Sequence, residues 1–207
     1  MRIIHYPHPT LFRVAKPLRK IDAELKSMIR KMFELMYEHN GIGLAAPQVD
    51  LPYRLFVVNE TGDSRQPERE QVFINPVLSK PKGSAEAEEG CLSLPKLYAQ
   101  VRRPAQIHVT AYDAAGQAIS RSLDGLPARI VQHENDHLDG VMFVDRLSPT
   151  ALVGWKIFVA NSSDAASTVR FPTMPESSPR WRNWKSFGPD VSTTFAPGRH
   201  ARSCDDE

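Results

Sequence analysis

The chain has little cysteine and no long apolar run. Its 207 residues include two cysteines, so a disulfide framework is excluded and we expect a reducing compartment. No apolar run approaches the roughly 18 residues that a membrane span requires, and the first residues lack the apolar core of a signal peptide. A net charge of +2 is too small for the basic surface typical of nucleic-acid-binding proteins. We therefore expect a cytoplasmic protein with no membrane partner and no sequence-specific nucleic-acid partner.

The most informative segment contains the pattern His-Glu-x-x-His, formed by His133, Glu134 and His137. Four residues of a helix turn through about 400°, so both imidazoles leave the same face about one turn apart. Two imidazoles at this spacing can hold one metal ion, and the adjacent carboxylate can act as a general base toward water. Pro127 before the motif and Gly140 after it are typical of a helix start and a helix stop.

A catalytic metal of this kind takes three protein ligands and keeps one position open. Where one related pattern has a third His, this chain has Phe143, and no Glu follows the motif before Glu176. The strongest remaining candidate is Cys91, in a segment that Gly and Pro make irregular. The only other cysteine, Cys204, lies near the end of the chain, so a structural Cys2His2 site is not indicated.

A third segment, Gly-Ile-Gly-Leu-Ala-Ala-Pro-Gln over 41–48, follows a helical pattern. Gly41 and Gly43 permit close approach of the backbone. Gln48 carries a neutral amide that can donate a hydrogen bond to a developing oxyanion. Taken alone, the segment is better explained by a helix cap followed by a tight connection.

Three motifs together resemble the peptide deformylase family: the segment 41–48, Glu-Gly-Cys-Leu-Ser over 89–93 and Gln-His-Glu-Asn-Asp-His-Leu-Asp-Gly over 132–140. Residues 6–11 also look like the first strand and loop of that family, and the resemblance covers about residues 1–150. It implies a hydrolase of protein biosynthesis that removes the formyl group from formylmethionyl nascent peptides and releases formate. It also implies Fe²⁺ in the working enzyme (Zn²⁺ or Ni²⁺ after handling), transient contact with the ribosome and a cytoplasmic location of the bacterial type.

The resemblance also implies roles for individual residues. Cys91, His133 and His137 would bind the metal, Glu134 would be the general base, and Gln48 and the backbone N–H of Leu92 would stabilise the oxyanion. Four residues are expected to contact the substrate, with His133 as a further wall of the pocket: Gly43, Ile42, Leu94 and Ile130. Ion pairs behind the metal ligands are expected among Glu89, Asp136, Arg102 and Arg103.

The pattern of the whole chain predicts an α+β fold, with mixed or antiparallel sheets around a central helix that carries the His-Glu-x-x-His motif. A helix capped by Asp22 is predicted to run to about His39, because its apolar residues recur at helical spacing. Four strands are predicted over 54–59, 71–75, 106–111 and 118–123, with an exposed loop over 60–70. The predicted organisation is a catalytic domain over 1–150, a short helix over 151–160 and a flexible tail over 161–207.

Two other interpretations remain open from the residues alone. The first is another metal-dependent amidase or peptidase built on the same motif, against which Gln48 and Cys91 argue. The second is a non-enzymatic module that the metal only braces, against which Glu134 argues because a structural site needs no base.

Overall fold

The computed structural model of the protein describes residues 1–148 and 152–153. Within these residues the regular elements are two α-helices and seven strands, with short 3₁₀ turns between some of them. In chain order they are α1 (Ala23–Glu38), β1 (Gly43–Ala45), β2 (Leu55–Val58), β3 (Gln71–Lys82), β4 (Ala85–Cys91), β5 (Leu94–Arg103), β6 (Gln106–Tyr112), β7 (Ala118–Asp124) and α2 (Gly125–Leu138). Five strands form an antiparallel sheet in the order β1-β2-β3-β6-β7, and β4 pairs with β5 in a separate antiparallel hairpin. The predicted α+β fold is confirmed.

Helix α1 begins and ends within one residue of its predicted bounds. Its N-cap is Asp22, whose carboxylate accepts a hydrogen bond from the backbone N–H of Leu25 at 2.9 Å. Beyond its other end Asn40 takes a left-handed conformation, with φ of 56°. The backbone N–H of Gly41 then donates to the carbonyl of Met36 at 2.8 Å. The helix therefore leads directly into the Gly-rich segment.

Strand β2 is buried on both faces because a helix packs on each side of the large sheet. Leu55 and Val57 belong to the apolar cluster that includes α1, whereas Phe56 and Val58 belong to the cluster that includes α2. Alternate side chains of a strand point to opposite faces. The sheet therefore forms the middle layer between the two helices.

Helix α2 lies between the large sheet and the β4–β5 hairpin. Ala128 and Val131 are buried against the sheet. Arg129 and His133 contact Glu89 of β4 on the other side. The prediction of a central helix carrying the motif is confirmed. Side chains from both sheets contact this helix.

The strand predictions were correct in part. Strand β2 and the pair β6–β7 lie at the predicted places. Strand β3 begins as predicted at Gln71 but runs to Lys82, because a register shift between Ile74 and Val77 lets the strand continue past Pro76. The loop over 60–70 contains one short 3₁₀ turn, Pro67–Arg69.

Other local predictions were incomplete or wrong. The β4–β5 hairpin was not predicted. The segment 41–48 is more than a connection, since it contains β1 and a 3₁₀ turn, Ala46–Val49. The segment 6–11 forms no strand; it leads into a 3₁₀ turn, Pro9–Phe12, because proline lacks the N–H that a strand ladder needs.

Two predicted regions at the C-terminal end lie almost wholly outside the described residues. Of the short helix over 151–160, the structure describes Leu152 and Val153, which are helical. The tail over 161–207 lies outside the described residues altogether. In the part of the chain that is described, no helix has the length and apolar character that crossing a bilayer requires.

Candidate active site

Cys91, His133 and His137 lie together at the contact between the hairpin and α2. One ligand atom from each residue lies within 4.8 Å of the others. The Sγ atom of Cys91 is 3.3 Å from Nε2 of His137, and the two imidazole centroids are 5.1 Å apart. The helix supplies both nitrogens from one face, and the end of β4 supplies the sulfur.

These residues fit a divalent transition metal. A thiolate with two imidazoles is a donor set typical of zinc and iron(II). One buried atom beside these ligands, Oε2 of Glu134, has no hydrogen-bond partner among the described residues. Buried polar atoms normally have a partner, so the site is suited to a polar occupant that the protein does not itself supply.

The pKa values of the two imidazoles are shifted in opposite directions. Burial disfavours the charged form of His133, but hydrogen bonds to Cys91 and Glu89 outweigh it and raise the pKa of His133 to about 10. Burial lowers the pKa of His137 well below its ordinary value. A metal that bound His133 would have to displace a proton from it, so its binding would be pH-dependent.

Glu134 lies beside the ligands and is buried. Burial raises the pKa of Glu134 to about 7, since desolvation disfavours the carboxylate more than the nearby cations favour it. The backbone of Gly43 in β1 approaches this carboxyl so closely that a Cβ atom there would lie 2.4 Å from Oε1 of Glu134. A side chain at position 43 would therefore displace the carboxyl of Glu134.

The amide of Gln48 is fixed next to Cys91. Its Oε1 accepts a hydrogen bond from the backbone N–H of Ala45 at 2.8 Å, and its Nε2 donates to Sγ of Cys91 at 3.4 Å and to Oγ of Ser93 at 3.3 Å. The amide nitrogen therefore faces the sulfur that would bind the metal. Leu92 follows Cys91 in the turn between β4 and β5, and its side chain packs against the α1 cluster.

A buried ion network lies behind His133. Glu89 accepts from Nδ1 of His133 at 3.0 Å and from both Nε and Nη2 of Arg103, at 2.5 and 2.8 Å. Arg103 also donates to Asp136 of α2 at 2.8 Å. Burial raises the pKa of Glu89, but the hydrogen bonds from Arg103 and His133 outweigh it and hold that pKa well below its ordinary range. Arg102 is instead at the surface, paired with Glu86.

Three contributors to this site were missed from the sequence. Arg129 bonds to Glu89, Arg146 bonds to Asp136, and Ser93 accepts from Gln48. Arg129 precedes His133 by four residues, so helical spacing could have placed it on the same face. Arg146 ends a 3₁₀ turn, Phe143–Arg146, that follows α2, and no sequence pattern pointed to it.

The predicted substrate-pocket residues pack in two apolar clusters. Ile42 and Ile130 belong to the apolar cluster between α2 and the large sheet. Leu94 belongs to a second cluster, which also includes Cys91. His133 stacks on Phe143, with ring centroids 6.1 Å apart.

A Cys/His2 donor set beside a buried carboxyl, with both imidazoles on a His-Glu-x-x-His helix, is typical of a metal-dependent hydrolase. The family model described as polypeptide deformylase matches residues 1–152. Peptide deformylase of Rhodopirellula baltica is 52% identical over 152 residues, which are 73% of this chain and 75% of that protein. Peptide deformylase 1B, chloroplastic/mitochondrial, of Arabidopsis thaliana is 42% identical over 153 residues, which are 73% of this chain and 56% of that protein.

A solved structure agrees with these relatives. The crystal structure of peptide deformylase from Plasmodium falciparum has a TM-score of 0.73 and 38% identity, covering 75% of this chain and 91% of that one. The chain belongs to the polypeptide deformylase family. It is a hydrolase that removes the N-terminal formyl group from nascent peptides and releases formate. The predicted family and activity are confirmed.

Proposed function

We propose that Cys91, His133 and His137 hold one divalent metal and that Glu134 is the general base of deformylation. The observation that carries this proposal is the convergence of one sulfur and two imidazoles within 4.8 Å. When bound, the metal would act as a Lewis acid that polarises the formyl carbonyl and makes water a stronger nucleophile.

Residues of the chain transfer the proton of the attacking water and stabilise the charge that develops on the formyl oxygen. Glu134 takes a proton from the attacking water as general base and passes it to the departing amine as general acid. The amide of Gln48 and the backbone N–H of Leu92 donate to the oxyanion that develops on the formyl oxygen. Removing such a donor typically costs about 10²–10³ in rate.

Substrate selection follows from the same crowded site. A formyl carbon carries only hydrogen, so a tight oxyanion site admits it and excludes an acetyl methyl group. We propose that the backbone of Gly43 bonds to the peptide. Ile42, Leu94 and Ile130, together with the ring of His133, would contact the methionine side chain.

The working metal is proposed to be Fe²⁺. A Cys/His2 set accepts Fe²⁺ and Zn²⁺ alike, so the choice depends on the family resemblance. Activity should be lost in air and restored by Fe²⁺ added under anaerobic conditions. Full activity of the air-exposed zinc form would contradict this assignment.

The cellular setting is also a proposal. We propose a cytoplasmic location and transient contact with the ribosome and nascent chain, supported by the activity on nascent peptides and the bacterial relative; the Arabidopsis relative is named chloroplastic/mitochondrial. We propose that residues 1–150 form the catalytic domain. Deletion of 161–207 should then preserve deformylation, and loss of deformylation in that variant would contradict the proposed boundary.

The test of the residue roles compares two variants with the wild type on formyl-Met-Ala-Ser, with acetyl-Met-Ala-Ser as the unreactive control. Glu134→Ala should retain metal but lose about 10²–10⁴ in rate, because a positioned base contributes that much. Cys91→Ser should lose metal as well as activity. Full metal affinity in Cys91→Ser would show that the sulfur is not a ligand.

A further inference from the structure

The donor atoms of the proposed metal site are divided between two parts of the fold. Cys91 ends β4, whereas His133 and His137 project from α2. The β4–β5 hairpin forms a sheet of its own within the described residues and is not hydrogen-bonded to the large sheet. An isolated two-stranded hairpin is at best marginally stable in water, so the position of Cys91 relative to the imidazoles depends on contacts that hold the hairpin against α2.

Apolar packing supplies part of this attachment. Leu94 and Val101 of β5 are buried in a cluster with Met142, Phe143 and Val144, which follow α2 in the chain. Apolar contacts lack direction, however, and they allow small sliding movements more readily than hydrogen bonds do. We therefore expect polar contacts to fix the position of the hairpin along α2.

Arg129 makes three such contacts from α2. Its Nη1 donates to Oε1 of Glu89 at 2.6 Å and to the carbonyl of Val101 at 2.9 Å, and its Nη2 donates to the carbonyl of Ala85 at 2.9 Å. The side chain is only 12% exposed. One planar guanidinium thus bonds to both strands of the hairpin, and this rigid fork fixes direction as well as distance.

The carboxylate that Arg129 binds also contacts a proposed metal ligand. Oε2 of Glu89 accepts from Nδ1 of His133, which lies one turn after Arg129 on the same helix. A carboxylate on the second nitrogen of a ligating imidazole fixes the orientation of the ring. Arg103, which also binds Glu89, makes another link between hairpin and helix through Asp136, the residue before His137. Arg129 differs from Arg103 in reaching from α2 to the backbone of both strands of the hairpin.

We propose that Arg129 is a positioning residue, which sets the affinity and geometry of the metal site by holding the Cys91 hairpin and Glu89 against α2. The proposal rests on the ligand set proposed above. It assigns to Arg129 no contact with the substrate or with the reacting atoms.

The test measures Co²⁺ binding to the metal-free full chain by competition with a chelator. Arg129→Met removes all donors but keeps the apolar part of the side chain, and we expect affinity to fall about 10–100-fold, as for other groups that support metal ligands. Arg102→Met is the matched control, because Arg102 lies on the same hairpin but forms an exposed pair with Glu86, with 73% of its side chain exposed. Exposed pairs contribute little, so this control should bind Co²⁺ like the wild type.

Two further readouts separate positioning from general stability. At full Co²⁺ loading, the thiolate-to-cobalt charge-transfer band of Arg129→Met should shift in position or intensity, whereas a variant that is merely less stable keeps the wild-type band. Arg129→Lys should restore affinity in part, since an ammonium can bind Glu89 but cannot bridge to both carbonyls. It also provides a folded variant if Arg129→Met does not fold.

Arg129 variants with wild-type affinity and an unchanged band would overturn the proposal, even if their metal-free forms unfold at lower temperature. A separate variant shows whether the proposed ligand set itself is wrong. In that case Cys91→Ser in an otherwise wild-type chain retains both Co²⁺ affinity and the charge-transfer band, whatever the Arg129 variants do.

Discussion

Gly43 and Glu134 are packed too closely for any side chain to stand between them. A Cβ atom on Gly43 would lie 2.4 Å from Oε1 and 2.9 Å from Cδ of Glu134. Neither residue has room to retreat freely, since Gly43 is in a buried strand and Glu134 is 4% exposed on a buried helix. The position of the proposed base is therefore coupled to the absence of a side chain in β1.

Gly43→Ala should displace the Glu134 carboxyl and lower kcat by about 10²-fold, the loss typical of a misplaced reacting group. Metal content should remain at the wild-type level. Gly116→Ala is the control, because it introduces strain at a φ of 81° in the turn between β6 and β7. It should lower the unfolding temperature but leave kcat unchanged. Equal losses of kcat in both variants would mean that lower stability alone explains the effect of Gly43→Ala.

Gln48 gives a second prediction at the residue scale. Gln48→Leu removes the amide that donates to Cys91 and Ser93, and we expect kcat to fall about 10²–10³-fold with metal retained. Ser93→Ala is the matched control, since it keeps the amide and removes only one acceptor. A Gln48→Leu enzyme that loses metal but keeps kcat per bound metal would show that Gln48 supports Cys91 instead of the oxyanion.

At the scale of elements, α1 and the loop after β2 are joined by a small hydrogen-bond network. The hydroxyl of Tyr37 donates to Glu70 and accepts from Nδ2 of Asn59, both at 2.9 Å. Asn59 is fully buried, and its amide also donates to the carbonyls of Asp63 and Gln66 at 3.3 Å. This network fixes the loop, in which Gly62 lies close to Ile42 of the motif.

The network predicts a loss of stability at alkaline pH. Burial is the main cause that raises the pKa of Tyr37 to about 12 from its ordinary value of 10.0. The unfolded chain therefore loses this proton first, so the contribution of Tyr37 is complete below pH 10 and is lost as pH rises toward 12. Urea unfolding between pH 8 and pH 11, roughly either side of that ordinary tyrosine value, should show a smaller alkaline loss in Tyr37→Phe than in the wild type.

Tyr98→Phe is the matched control for this prediction. Tyr98 is 66% exposed on β5, so removal of its hydroxyl should leave the alkaline loss of the wild type in place. If Tyr37→Phe lost stability with pH as steeply as Tyr98→Phe, the assignment to Tyr37 would be wrong.

Elements were predictable from the sequence where local pattern and tertiary packing agree. Helix α1 has both a cap and an apolar stripe, and its bounds were correct. Strand β4 was missed because Ala85–Cys91 consists of alanine, glutamate, glycine and cysteine, a composition depleted in β-formers. Its strand conformation comes from pairing with β5 and from contacts such as Arg129 to Ala85, which no local pattern reveals.

At the scale of the whole molecule, the site combines β1, the 3₁₀ turn Ala46–Val49, the β4–β5 hairpin and α2. The spacing of His133 and His137 is local to one helix, so the sequence alone placed them on one face. The sulfur of Cys91 comes from 42 residues earlier, and only elimination and the family resemblance suggested it. The ion pairs from Arg129 and Arg146 join separate elements, and their partners could be identified only in the fold.

Because its donors come from the β4–β5 hairpin and from α2, the proposed metal should stabilise the whole fold. A metal that binds only the folded state at 100 times its Kd adds about 2.7 kcal/mol. In a domain of this size that corresponds to roughly 5–10 °C in the unfolding midpoint. Chelation should therefore lower the wild-type midpoint by this amount, and added metal should restore it. Chelation should lower the midpoint of Cys91→Ser much less, because this variant lacks the sulfur through which the metal would join the hairpin to α2. Equal shifts in the two proteins would mean that the metal binds without joining these elements.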